Sequence, residues 1–192
     1  TGPLMCCRSA DTEVEVEVGF DDNDEISLLS PITNTSQNLL AYSNDFSSWS
    51  DDNTIFEKST VTDPFGGTNA WKLTANSNVN SGPYLVPTTT ANVWHTLSVY
   101  VKADGATRTR IGMWRSGLGN WVNVETNWSA GGTPTTHGSV NASNISYEAI
   151  GTDGWYRVSL TGQGDSGDNG IAVNLDIDSE SGNRSVLYYG AM

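Results

Sequence analysis

The chain has 192 residues, and its 22 acidic against 9 basic side chains leave a formal net charge of −13. No run of 18 or more apolar residues occurs, so no transmembrane helix is expected, and an N-terminus without a basic start and a long apolar stretch predicts no signal peptide. A pI near 4.2 argues against a nucleic-acid partner, whose phosphates call for a basic face.

Taken in chain order, the first feature is Cys6-Cys7. Adjacent Cα atoms lie about 3.8 Å apart, short of the roughly 4.4 Å a disulfide needs, so no intrachain bridge is expected. That usage favours folding in a reducing cytosol. Next comes an acidic stretch, Asp11 to Glu25, in which Glu13-Val14-Glu15-Val16-Glu17-Val18 alternates with the period of a strand. Val14, Val16, Val18 and Phe20 would share one face, and a lone strand with an apolar face is marginal in water. Two readings account for it: an N-terminal strand of the main sandwich, or an extended arm that docks on another subunit. Disorder is the third. The docking arm, residues 1–37, is the reading adopted.

From about Asn38 the chain turns into short alternating segments separated by glycine-rich turns. Strands are predicted at Ala70–Ala75, Trp94–Ala103, Arg108–Arg115, Trp121–Thr126, Trp155–Thr161, Ile171–Asp178 and Val186–Ala191. Leu97, Val99 and Val101 face one way, with Ser98, Tyr100 and Lys102 the other. Ile171, Val173, Leu175 and Ile177 repeat that pattern. Pairs such as Asp104-Gly105 and Asp153-Gly154 supply the turns. No stretch of comparable length carries helical periodicity. The fold class is therefore all-β, two antiparallel sheets packed face to face as a β-sandwich or jelly roll over residues 38–192.

Several blocks in this region resemble a known family. Asn38-Leu39-Leu40 with Tyr42-Ser43-Asn44-Asp45-Phe46 and Trp49 is similar to the opening of a carbohydrate-binding-like β-sandwich domain of bacteriophage tail, head and head-spike fibres. Ala70-Trp71-Lys72-Leu73, Thr96 to Ala103, Gly154-Trp155-Tyr156-Arg157-Val158-Ser159 and the closing Leu187-Tyr188-Tyr189-Gly190-Ala191 follow in family order. Met192 stands where the family usually continues Gly-Ala-Gln. The resemblance implies a carbohydrate-binding-module-like jelly roll displayed on a virion assembled in the host cytoplasm. It implies a fibre, spike or decoration subunit that attaches to other virion proteins by its arm and binds host-surface glycans. A homo-oligomer is expected, with a trimer as the assembly suited to a fibre. The alternatives are a purely structural capsid or tail component without sugar binding, and an accessory module of a polysaccharide-active enzyme.

Catalytic signatures are missing from the sequence: no H-E-x-x-H, C-x-x-C, G-x-S-x-G or P-loop occurs. Glu125, Glu148, Asp176 and Asp178 are the acids a glycosidase would draw on, and the expectation is that they are solvated strand residues of a non-enzyme. His95 is expected to be structural and His137 to lie in an exposed polar loop. No cofactor is expected. A structural calcium is the one metal worth testing, with Asp45 and Asp176 as weak candidates beside Asp51, Asp52, Asp165 and Asp168. No contiguous calcium loop is present.

Seven tryptophans need placing. Trp71 and Trp155 are expected in the core, and Trp49 under the N-terminal turn. Trp114, Trp121 and Trp128 belong to a predicted hairpin with Arg115, Asn120, Asn123 and Glu125 interleaved. Flat rings can meet the C–H face of a sugar while amides, carboxylates and guanidinium meet its hydroxyls, so these seven residues form the candidate glycan patch. Trp121, Asn123 and Glu125 share a strand face by period two. The competing reading puts one or two of the three tryptophans in the core.

Overall fold

A computed structural model describes the backbone of residues 7–9, 12–14, 18–20 and 26–28, and residues 38–50, 54–75, 82–90, 92–115, 119–130, 132–164, 171–177 and 184–192. The chain divides into two units, Thr1–Asn38 and Leu39–Met192. In the first, β1 (Cys7–Ser9) pairs with β2 (Thr12–Val14), and β3 (Val18–Phe20) with β4 (Ile26–Leu28), both antiparallel. Val14, Val18 and Phe20 are in these strands. Glu15–Glu17, and the side chains of all four predicted docking residues, lie outside the described residues.

The second unit is two antiparallel sheets, as the alternation predicts. One has six strands: β12 (Ser143–Ile150), β13 (Trp155–Gln163), β8 (Trp94–Asp104), β15 (Ser185–Tyr189), β6 (Trp71–Ala75) and β5 (Thr54–Lys58), in that order. The other has five: β11 (Pro134–Val140), β10 (Asn120–Trp128), β9 (Arg108–Arg115), β14 (Ile171–Ile177) and β7 (Tyr84–Leu85). Strands β5, β7, β11 and β12, which the apolar pattern does not reveal, are the two edges of each sheet. Among the described residues no helix is long and apolar enough to cross a membrane.

The predicted apolar faces meet between the sheets. Leu97, Val99, Val101, Val158 and Leu160 from the six-stranded sheet pack against Ile111, Met113, Val122, Val124 and Leu175 from the other, all buried. Gly162 lets the layers close: a Cβ there would lie 2.2 Å from Val122 Cγ1. The fully buried Tyr188 reaches across the sandwich, its hydroxyl donating to the carbonyl of Asp176 at 3.1 Å. Burial and the nearby Asp176 charge push that phenol well above its ordinary pKa. Near the start of the unit, the short turn Phe46–Ser48 buries Phe46 and Trp49, which stack edge-on at 4.9 Å. Trp71 packs with Phe46 and Phe56.

The loop from Ser59 to Ala70 lies against the outer face of the six-stranded sheet. Trp155 Nε1 donates to Thr62 O at 3.1 Å, and Trp155 buries itself with Ala70 and Leu187. Asp63 organises the loop by accepting the backbone N–H of Phe65, Gly67 and Asn69 at 2.9, 3.0 and 3.2 Å. Phe65 is thereby set against Tyr100 and Tyr189.

Candidate functional site

The outer face of the five-stranded sheet gathers most of the chemistry, because hydrogen-bond register brings distant residues into rows. In the first row Trp121 of β10 faces Trp114 of β9, with ring centroids 5.0 Å apart and planes inclined at 59°. In the second, Val140, Asn123, Gly112, Asn174 and Tyr84 run across β11, β10, β9, β14 and β7. The third holds Gly138, Glu125, Arg110 and Asp176. A fourth begins with Asn127 opposite Arg108. From Trp121 to Asn127 the face runs about 20 Å at about 3.4 Å per residue.

Hydrogen bonds and rings lock these rows together. Arg110 donates Nε to Asp176 Oδ2 at 2.9 Å and also pairs through Nη2 with the same oxygen. Its guanidinium carbon lies 5.0 Å from the centroid of Trp121, a cation–π contact. Gly112 sits between these groups, and a Cβ there would meet Asn123 Cβ at 2.7 Å, so the middle of the face is a floor without a side chain on β9. Arg108 Nε donates to Asn127 Oδ1 at 3.3 Å, and the Asn127 amide nitrogen lies 3.2 Å from His137 Nδ1. Asn123 and Asp176 are sunk into the face, while Trp114, Trp121 and Glu125 are half-buried.

Of the seven predicted patch residues, this face brings together Trp114, Trp121, Asn123 and Glu125. The other three are directed elsewhere. Trp128 is buried at 5% exposure, packs near Tyr156 and donates Nε1 to Thr109 Oγ1 at 2.9 Å in the core, in line with the competing reading for one of the tryptophans. Arg115 and Asn120 alternate onto the opposite side of their strands. There Arg115 Nε donates to Asn120 Oδ1 at 2.7 Å and Nη1 to Gln163 O at 3.3 Å, tying the end of the hairpin to the other sheet. The physical reason is parity: in a strand, neighbours and residues an odd number apart point to opposite faces. Arg108, Arg110, Asn127, His137, Asn174, Tyr84 and Asp176 complete the face. Most come from other strands, so proximity in sequence does not reveal them.

His137 is in strand β11 and not in a loop, because the edge strand continues through Gly138. His95 stays in β8, with Nε2 3.4 Å from Thr90 O. Asp176 is taken up by Arg110, and Asp45 caps the Phe46–Ser48 turn by accepting from Ser47 N at 3.1 Å. That backbone hydrogen bond holds the Asp45 carboxyl below its ordinary range. Asp51, Asp52, Asp165, Asp168 and Asp178 lie outside the described residues, and among the described residues no three His, Cys, Asp or Glu gather as a metal site. Of the acids a glycosidase would use, Glu125 and Asp176 flank Arg110 on this face, while exposed Glu148 is on the six-stranded sheet.

No protein-family model matches the chain, and no curated protein matches it in sequence. Among solved structures it is similar to the CBM22-1–GH10 modules of the N-terminal endo-1,4-beta-D-xylanase 10B of Clostridium thermocellum complexed with xylohexaose, at 13% identity and a TM-score of 0.46 over 76% of this chain and 26% of that one. It is also similar to a family 16 carbohydrate binding module-2, at 11% identity and a TM-score of 0.42 over 76% and 86% of the two chains. A third similarity is to the enzymatically active domain of bacteriophage CBA120 tailspike protein 4, at 11% identity and a TM-score of 0.47 over 81% and 21%. The chain thus spans about a quarter of the length of the xylanase chain.

Proposed function

We propose that the sandwich is a glycan-binding module whose ligand lies along the outer face of the five-stranded sheet, with Trp114 and Trp121 as its aromatic end. One observation carries this reading: registered rows set a preorganised tryptophan pair beside amide, guanidinium and carboxylate groups on a single face. Aromatic rings bury the apolar side of a sugar, and Asn123, Asn127, Asn174, Arg108 and Glu125 offer donors and acceptors for its hydroxyls. The bare backbone at Gly112 lets Asn123 lean across β9 into the middle of the face. Binding is the whole activity in this reading, with Asp176 committed to Arg110 and not to proton transfer.

The setting is the second part of the proposal. The blocks of residues 38–192 that resemble phage fibre domains support a virion fibre, spike or decoration subunit, held to the particle by residues 1–37 and repeated in a homo-oligomer. Weak single sites would then add through multivalency. The same face would serve equally well in an accessory module of a polysaccharide-active enzyme.

The test is retention of the full chain, multimerised on a carrier, on a glycan array and on candidate host cells, beside Trp114→Ala and Trp121→Ala. Sugar-competable retention that both variants lose is the expected result. A folded wild type retained by no glycan would sink the binding reading and return weight to a purely structural subunit, in which a neighbouring chain covers this face.

A further inference from the structure

We infer that Glu125 sets the ligand class of this face: it accepts uncharged glycans that offer neighbouring hydroxyls and refuses glycans that carry carboxylates or sulfates. The inference rests on the glycan reading of the same face. It follows from which charges there are already engaged.

Arg110 is bound through two of its nitrogens to Asp176 and lies against Trp121. Arg108 donates to Asn127, whose amide in turn meets His137. Glu125 stands between Arg110 and Gly138 in the third row, and its carboxylate makes no hydrogen bond or ion pair among the described residues. The flank toward β11 is open: a Cβ added at Gly138 would be 3.8 Å from Glu125 Oε2 and would meet nothing else within 4 Å. In the third row the group held ready for a ligand is therefore a carboxylate with a clear approach, while the Arg108 cation belongs to the next row, opposite Asn127.

An ionised carboxylate accepts hydrogen bonds and donates none. Its two oxygens match two adjacent hydroxyls of a pyranose ring, each hydroxyl donating to one oxygen, and bonds to a charged acceptor are the stronger kind. A uronate or sulfate ester placed beside it brings like charge into a half-buried site. Arg110 offers little relief, because Asp176 already balances it. The formal net charge of −13 adds longer-range repulsion, which salt screens, whereas the short-range conflict at Glu125 is screened much less.

The experiment uses the full chain and matched ligand pairs: oligogalacturonates, oligoglucuronates and alginate oligomers, each beside its carboxyl-reduced, neutral counterpart. Affinity is read by titration in 0.15 M and 0.5 M salt for the wild type, Glu125→Gln and Trp121→Ala. The wild type should favour the neutral member of a bound pair at least tenfold, and the preference should persist in high salt. Glu125→Gln should lose about tenfold on that neutral member and narrow the preference below threefold, while Trp121→Ala should lose affinity for both members alike. Equal binding of acidic and neutral members by the wild type overturns the selection but leaves the glycan reading standing. A preference that survives Glu125→Gln unchanged overturns the assignment to Glu125. A wild type that binds no member of the panel and no glycan on the array overturns the glycan reading and the selection with it.

Discussion

Asp176→Asn should loosen the candidate face from beneath. The Asp176 and Arg110 side chains are 7% and 14% exposed, so the ion pair is nearly out of water, and removing one partner of a buried pair costs about 3–5 kcal/mol. Asparagine keeps one oxygen to accept from the guanidinium, which places the expected loss near the lower end, about 3 kcal/mol. For a domain of this size that corresponds to a fall in Tm of about 6–12 °C. Arg110→Met should cost a similar amount, because it takes the guanidinium away from the buried Asp176 carboxylate and removes the cation–π contact with Trp121, worth about 0.5–2 kcal/mol. The double variant removes both charges together and should be more stable than the sum of the two losses predicts, with a coupling of at least about 1.5 kcal/mol. Urea unfolding of the four proteins at pH 7 measures this, and near-UV circular dichroism follows the Trp114–Trp121 pair. Losses that add to within about 0.5 kcal/mol would refute the idea that Asp176 and Arg110 act as one unit.

Three further outcomes are expected. Burial raises the Asp63 carboxyl, but the N–H groups of Phe65, Gly67 and Asn69 outweigh that effect and hold it below its ordinary value of 3.8. A depressed folded-state pKa contributes stability above the ordinary value and loses it as pH falls through the folded one. Asp63→Asn should therefore cost about 2 kcal/mol at pH 7, with the difference shrinking below pH 3.8; a pH-independent difference in denaturant titrations would count against it. Trp128→Phe removes the buried bond to Thr109 and should lower stability by about 1–2 kcal/mol while leaving glycan retention intact, the reverse of Trp121→Ala, and lost retention in a folded Trp128→Phe would contradict the assignment of faces. Gly162→Ala should destabilise by about 1–3 kcal/mol through overpacking on Val122, and Val122→Ala in the same chain should recover part of the loss; no recovery in thermal melts would mean the strain lies elsewhere.

The sorting of the patch residues into two sides was within reach of strand parity alone. Trp121, Asn123 and Glu125 are two apart and share a side. Asn120 adjoins Trp121, and Trp128 stands seven residues on, so both point the other way. Extending that count across the hairpin, where Trp121 pairs with Trp114 and Asn120 with Arg115, separates all seven patch residues into the two sides seen. Local spacing thus carried more information than nearness along the chain.

The all-β sandwich and its inner strands were legible in the amino-acid sequence: β6, β8, β9, β10, β13, β14 and β15 each turn one side to the core between the sheets, which writes an apolar residue at every second position, and β15 buries Leu187 on its other side as well. The edge strands β5, β7, β11 and β12 bury less, and β7 has no more than the single Ser50–Tyr84 bridge beyond its partner β14, so the segment around His137 reads as loop until its partner β10 is present. The meeting of Arg110 with Asp176, 66 residues apart, was likewise decided by tertiary structure. So was the row that opens Glu125 toward Gly138. Strand order and register are set by how two sheets share one core, and no local pattern encodes which strand becomes the neighbour of which.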